Sequence, residues 1–179
     1  MSPSFFTQLY ALPIRDILAF FLAGTWLFLK LDSRFRKKIL WKVLVFLVFA
    51  VFTGAILYLT ISQREGGTSF GPALVPFHSY REVLAGGNRE IYRSNFMNVI
   101  LFFPSGLLLA SLLPRKWPGW VRAVSVTLLF ALVSARVEYL QYIGGLGRAE
   151  IDDVIHNTLG ALIGSLSGLI NLPNEKERT

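Results

Sequence analysis

Ile39 to Ile61 reads ILWKVLVFLVFAVFTGAILYLTI, and this stretch decides the class of fold. It exceeds the roughly 20 apolar residues that a helix needs to cross a bilayer. Thr53 and Gly54 are less hydrophobic than their neighbours in this stretch. Four further apolar stretches run from about Leu12 to Leu29, Phe96 to Leu113, Val121 to Tyr142 and Val154 to Leu172. The sequence therefore predicts an all-α, polytopic transmembrane helical bundle of about five spans.

The composition favours one membrane domain over residues 1–179. Of the 179 residues, 53% are hydrophobic and 16% are charged, whereas soluble domains carry about 25% charged residues. The chain has no cysteine, which excludes disulfides and thiol chemistry. We expect no removable signal peptide, because no cationic leader precedes the first apolar stretch.

The distribution of Lys and Arg predicts the orientation of the chain. The net charge is +7, but the cations lie in short loops beside apolar runs, so we expect no nucleic-acid partner. Two basic loops, at 30–42 and 115–122, are predicted to be cytoplasmic. The acidic loop at 143–153 and the longer, partly ordered loop at 62–95 are predicted to be external. The N-terminus would then lie outside and the C-terminus in the cytoplasm.

Polar and ionisable side chains interrupt residues 98–157 of this hydrophobic chain. Such groups are costly inside a membrane span and usually mark a site or an internal ion pair. The predicted topology brings them to one side of the membrane, together with a histidine of the long loop. The set comprises His78, Asn98, Glu138, Gln141, Arg148, Asp152, Asp153 and Asn157. Their convergence predicts a shared site.

Glu138 and Gln141 are three residues apart and share one face of a helix, which Ser134 extends. A buried carboxylate needs a cation or several donors, and Arg148 is the candidate cation for Glu138. Glu138 is then either a base, acid or ligand-gripping group, or half of a structural ion pair. Asp152 and Asp153 precede the last span and could cap or charge-stabilise its N-terminus. That role explains one aspartate, but two beside Arg148 and Glu138 exceed what a cap needs, so both stay candidate site residues.

The last span combines polar residues with a small-residue face. Asp153 and Asn157 share a face, which continues through Ala161, Gly164 and Gly168 and allows another helix to approach closely. We expect this helix to be the third span, with Asn98 meeting Asn157 or Glu138. The same small residues could instead serve a homodimer. Pro104 should kink the third span.

The spacing of His156 and Asp152 allows metal ligation but is a weak signal, so we predict no metal and no cofactor.

Three motifs resemble those of the VanZ-like membrane protein family. They are NVILFFPSGLLL from Asn98, EYLQ from Glu138 and GRAEIDDVIHNTLG from Gly147, and a Val75-Pro76-Phe77 step precedes them. The resemblance covers a core at about residues 70–170. It implies a protein of the bacterial cytoplasmic membrane and cell envelope. The family is named for a protein that lowers susceptibility to teicoplanin, a lipoglycopeptide that binds peptidoglycan precursors outside the membrane.

Three functional hypotheses remain open from the sequence. A binding protein would hold a lipid-linked precursor or the antibiotic's acyl chain, with Arg148 gripping an anionic head group. An integral membrane enzyme acting on an envelope lipid or lipid-phosphate would use Glu138 or Asp153 as base, with Arg148 stabilising negative charge. A structural bundle would use the polar cluster only to hold its helices together. Membrane lipids are partners in all three.

Overall fold

The computed structural model describes residues 12–62, 71–88, 90–146 and 148–170. These ranges are helical and contain no strand beyond one isolated bridge, which confirms the all-α prediction. The helices are α1 (Ile14–Phe35), α2 (Ile39–Ser62), α3 (His78–Leu84), α4 (Glu90–Leu112), α5 (Gly119–Ile143) and α6 (Ile151–Ser167).

Three of these helices are long and apolar enough to cross a membrane. The candidate spans are Ile39–Tyr58, Glu90–Leu112 and Gly119–Ile143. The first and fifth predicted spans also form helices, α1 and α6, but neither qualifies as a span. Charged residues near both ends of α1 interrupt its apolar run, and α6 has only 17 residues with two aspartates in its first turn. The described residues therefore support a membrane protein with three candidate spans.

Helix α2 is hydrophobic on all sides, and most of its large side chains are exposed. Leu40, Phe46 and Val51 are examples, each more than half exposed. A helix that is apolar all round is stable in this state when lipid surrounds it. This exposure agrees with a lipid-facing position in the bilayer.

The chain divides into two compact units, and the described part of the first comprises α1, the start of α2 and Ile170. The turn between α1 and α2 is closed by Trp41, whose indole N–H donates to the buried carboxylate of Asp32 at 2.9 Å. The Trp41 ring also packs against Phe28 and Phe35, with centroids 6.2 and 6.0 Å apart. Aromatic packing and one buried hydrogen bond thus fix this turn.

The second unit, Lys42–Leu169, has its core where α2, α4, α5 and α6 meet. Phe102 and Phe130 pack edge to face with centroids 6.0 Å apart, against the buried Ile56 and Ala161. The hydroxyls of Thr53 and Ser105 hydrogen-bond at 2.9 Å and add a polar link between α2 and α4.

The small residues of α6 pack directly against the backbone of α4. A Cβ atom added to Gly160 would overlap the carbonyl oxygen of Val99, and one added to Gly164 would overlap that of Phe103. The predicted close approach to the third span is thus confirmed. Because α4 covers this face, a homodimer of this chain would have to use another surface.

Helix α4 begins at Glu90, six residues before the predicted start of its span. The side chain of Asn88 accepts a hydrogen bond from the backbone N–H of Glu90 at 2.9 Å, which satisfies a free donor of the first turn. The assigned helix runs on through Pro104 to Leu112.

Candidate functional site

The segment before α3 lies beside the segment before α6. Ala73 and Glu150 form a parallel bridge, in which the Ala73 N–H donates to Ala149 O at 2.9 Å. The Ile151 N–H in turn donates to Ala73 O at 3.0 Å. This pairing ties the described part of the long loop to the start of α6, so both can contribute to one site.

Asp152 caps α3 and not its own helix. One carboxylate oxygen accepts from the Phe77 N–H at 2.5 Å, and the other accepts from the N–H and the hydroxyl of Ser79 at 2.8 and 2.5 Å. The cap position of α6 is Glu150, which makes no side-chain capping bond. Asp152 and Asp153 both lie in the first turn of α6, which agrees with the predicted charge-stabilising role. The alternative, a side-chain cap by Asp152, is not seen, because its carboxylate docks α3.

These hydrogen bonds also determine the charge state of Asp152. Burial would raise its pKa, but the hydrogen bonds from Ser79 and Phe77, with His156 nearby, outweigh burial and hold the pKa of this carboxyl below its ordinary value. Asp152 is therefore ionised at neutral pH, and charge-assisted hydrogen bonds of this kind are the strong ones.

A second contact joins α3 to α6 through His156, which is buried. Its Nδ1 lies 2.6 Å from the Asp152 carbonyl oxygen, which can only accept, so Nδ1 carries the proton. In the neutral ring Nε2 then accepts from the hydroxyl of Tyr80 at 2.7 Å. The side-chain amide of Asn95 extends the network from α4 by donating to Ser79 at 3.0 Å.

Two predicted site residues pair differently from the expectation. Asn98 donates to the Asp153 carboxylate at 2.7 Å, and Asn157 donates to the Ser134 hydroxyl at 2.9 Å. The sequence prediction had Asn98 meeting Asn157 or Glu138. Asp153 lies one helical turn before Asn157 on the same face of α6, so Asn98 contacts the one nearer the start of α6.

Glu138 is buried on α5 with 5% of its surface exposed, and its carboxylate accepts from the Glu150 N–H at 3.0 Å. The expected cation for this carboxylate was Arg148. Its Nε is buried without a hydrogen-bond partner within the described residues. Gln141, one turn further along α5, is fully buried. The Arg148 Nε retains hydrogen-bonding capacity beside the α5–α6 connection.

A cleft of about 250 Å³ opens at this carboxylate. Pro72 and Leu74 form one wall, and α5 and α6 form the others. The lining residues are Pro72, Leu74, Ala135, Glu138, Tyr139, Tyr142, Ala149, Glu150, Ile151 and Val154. Apart from the two glutamates and the tyrosine hydroxyls, the walls are apolar. The cleft thus combines a hydrophobic surface with the buried carboxyl group of Glu138.

His78 takes no part in these contacts, although the sequence placed it in the site. Its ring lies 3.8 Å from Glu82 on the half-exposed surface of α3. The neighbouring residues Ser79 and Tyr80, which sequence reasoning missed, make the contacts to α6. Ser79 and Tyr80 belong to the short helix α3, whose composition does not indicate a site. The sequence feature that could have drawn attention to them is the Val75-Pro76-Phe77 step directly before α3.

Within the described ranges no group of three or more His, Cys, Asp or Glu side chains is placed to hold a metal ion. Both ring nitrogens of His156 are already engaged, by the Asp152 carbonyl and by Tyr80. The spacing of His156 and Asp152 therefore serves to orient the histidine.

Comparison with known proteins identifies the family of this chain. The sequence model of the VanZ/LLP1 family matches residues 40–171, which include α3 to α6, all but the first residue of α2, and the contacts of the candidate site. The chain belongs to the VanZ/LLP1 family. No curated protein and no solved structure matches it.

Proposed function

We propose that this protein is a bacterial cell-envelope protein whose cleft at Glu138 binds the lipid part of an envelope ligand. The ligand is a lipid-linked cell-wall precursor or the acyl chain of a lipoglycopeptide such as teicoplanin, and binding lowers susceptibility to the antibiotic. The observation that carries this proposal is the apolar cleft of about 250 Å³ with a buried carboxylate in its wall.

The walls of the cleft suit an acyl or isoprenoid chain. Small-molecule sites are usually concave and mostly apolar, with a few polar groups that fix orientation. Leu74, Tyr139 and Val154 supply the apolar surface here, and burying a hydrocarbon chain against it contributes about 0.8 kcal/mol per CH2 group. A ligand with a lipid chain would therefore gain most of its affinity in this cleft.

The polar groups around the cleft suit the other end of such a ligand. The Glu138 carboxyl group lies in the wall of the cleft, and a carboxylate can accept several hydrogen bonds, so it suits a hydroxyl, amide or amine of the ligand. Arg148 directly precedes Ala149 and Glu150 in the lining, and its unsatisfied Nε suits a phosphate or carboxylate. The cleft lies beside the 143–153 loop, which the positive-inside rule predicts to be external. It would therefore open on the outer face of the cytoplasmic membrane.

A susceptibility assay tests this function. A sensitive bacterium expresses the parent chain, Ala135→Trp, which fills the cleft, or Leu132→Trp, which adds a similar bulk at a side chain that is 71% exposed. Membrane levels are measured for each. We expect the parent and Leu132→Trp to lower teicoplanin susceptibility equally, and Ala135→Trp to lose this effect at normal protein level.

The polar groups are tested in the same assay with Glu138→Gln and Arg148→Ala. A binding site predicts partial loss for Glu138→Gln and a larger loss for Arg148→Ala, because the amide still accepts hydrogen bonds. Complete loss for Glu138→Gln alone would favour an enzyme that needs a carboxylate base. An unchanged effect in Ala135→Trp would contradict the proposal.

A further inference from the structure

The turn between α1 and α2 carries a dense positive charge. Residues 30–38 contain five Lys or Arg against the single acid Asp32. Lys30, Arg34, Lys37 and Lys38 are exposed, whereas Asp32 is buried and accepts from Trp41. The surface of this turn is therefore strongly cationic, and we call these four exposed residues the basic turn.

The position of the basic turn places it at a membrane surface. Its last residue directly precedes Ile39, where the candidate span Ile39–Tyr58 begins. Aromatic rings accompany the cations: Lys30 lies 5.1 Å from the centroid of Trp26, and Lys38 lies 5.2 Å from that of Phe35. Interleaved aromatic and basic side chains are typical of the headgroup region of a bilayer.

The other basic loop uses one of its cations inside the protein. Arg122 is buried, and its guanidinium lies 3.4 Å from the carbonyl oxygen of Ala110 near the end of α4. Arg115 and Lys116 remain on the surface. Either loop alone would orient the chain by the positive-inside rule. The higher density of exposed cations in the basic turn therefore points to a binding partner for this surface.

We propose that the basic turn binds the phosphate headgroups of anionic phospholipids. Clusters of basic residues beside a membrane span attract anionic lipid, and each cation near the surface strengthens this attraction about fivefold. The inference does not depend on the cleft at Glu138. The basic turn is an exposed cationic surface, unlike the apolar cleft, and its proposed partner is a lipid of negative charge.

The test measures lipid-dependent thermal stability of the purified full-length chain in neutral detergent. Phosphatidylglycerol, phosphatidylcholine or inorganic phosphate is added to the parent chain and to the triple variant Arg34→Gln/Lys37→Gln/Lys38→Gln. The control, Arg81→Gln/Arg115→Gln/Lys116→Gln, removes three exposed cations elsewhere. A second variant, Arg34→Lys/Lys37→Arg/Lys38→Arg, preserves the charge of the basic turn.

We expect phosphatidylglycerol, but neither phosphatidylcholine nor inorganic phosphate, to raise the melting temperature of the parent chain, because ligands that bind the folded state stabilise it. The triple variant should need roughly 100-fold more phosphatidylglycerol for the same shift, while the control and the charge-preserving variant behave like the parent. Equal effects of the two lipids on the parent would overturn the proposal. So would an undiminished phosphatidylglycerol effect in the triple variant, or an equal loss in the control.

Discussion

Replacing Asp152 by Asn should release α3 from the start of α6. The change keeps the size of the side chain but leaves one oxygen to serve three donors, the Phe77 N–H and the N–H and hydroxyl of Ser79. The new amide N–H2 group would point at one of these donors. Hydrogen bonds to a charged group contribute about 1.5–3 kcal/mol each, and an unsatisfied buried donor costs about 1–3 kcal/mol. We therefore expect α3 docking to weaken by about 2–4 kcal/mol.

Hydrogen exchange of the purified chain in detergent measures this loss directly, because amide protection reports local opening. Amides of Ser79 to Leu84 should exchange roughly 30- to 1,000-fold faster in Asp152→Asn than in the parent, since about 1.4 kcal/mol corresponds to a factor of ten. Asp153→Asn is the matched control, because this neighbouring carboxylate accepts from Asn98 of α4. Unchanged protection of α3 in Asp152→Asn would refute the capping role.

The pKa of Asp152 gives the same contact a pH dependence. A carboxyl whose pKa is lowered on folding contributes its stabilisation fully above the unfolded-state value and loses it as the pH falls through the lowered, folded-state value. Protection of α3, corrected for intrinsic exchange, should therefore be constant near neutral pH and decline only in acid. The decline should be absent in Asp152→Asn, and a decline that persists there would assign it to another group.

Two further substitutions test the packing around the site by thermal unfolding in detergent. Gly164→Ala should destabilise the chain by about 1–3 kcal/mol, because the added Cβ overlaps the Phe103 carbonyl oxygen, whereas Gly54→Ala has open space and should be neutral or stabilising. Equal melting temperatures for the two alanine variants would show that α4 and α6 are not packed this closely. Tyr80→Phe should cost about 1–3 kcal/mol, since it leaves the buried Nε2 of His156 without its donor. A melting temperature equal to the parent's would mean that this hydrogen bond does not stabilise α3.

The sequence predicted the positions of the helices well, because hydrophobic runs mark them. It placed the start of α4 too late, at Phe96, because Glu90 to Asn95 is polar and gives no hydrophobic signal. That turn is helical because Asn88 satisfies a free N–H group and Asn95 bonds to Ser79. The structure confirms α1 and α6 as helices but not as spans, since an apolar run shows that a helix forms but not that its charges and length suit a membrane crossing.

The sequence also indicated which polar residues gather at one end of the helices, but not how they pair. Asn98, Glu138, Asp152 and Asn157 all lie among the contacts between α3, α4, α5 and α6. Their partners depend on the rotation and register of each helix, which periodicity does not specify. Backbone donors are also invisible to motif reading. The N–H groups of Phe77 and Glu150 donate to the carboxylates of Asp152 and Glu138, and no side-chain pattern in the sequence indicates these contacts.

The most direct test of the central claim, that the cleft at Glu138 holds the lipid part of a ligand, is photo-crosslinking in membranes. A benzophenone side chain replaces Leu74 in the cleft wall or, as a control, the exposed Leu132 of α5. Teicoplanin is added, and adducts are quantified by mass spectrometry of the purified chain. We expect a teicoplanin adduct at position 74 that Ala135→Trp abolishes, with little at position 132. Equal labelling of the two positions, or labelling at position 74 that persists in Ala135→Trp, would contradict it.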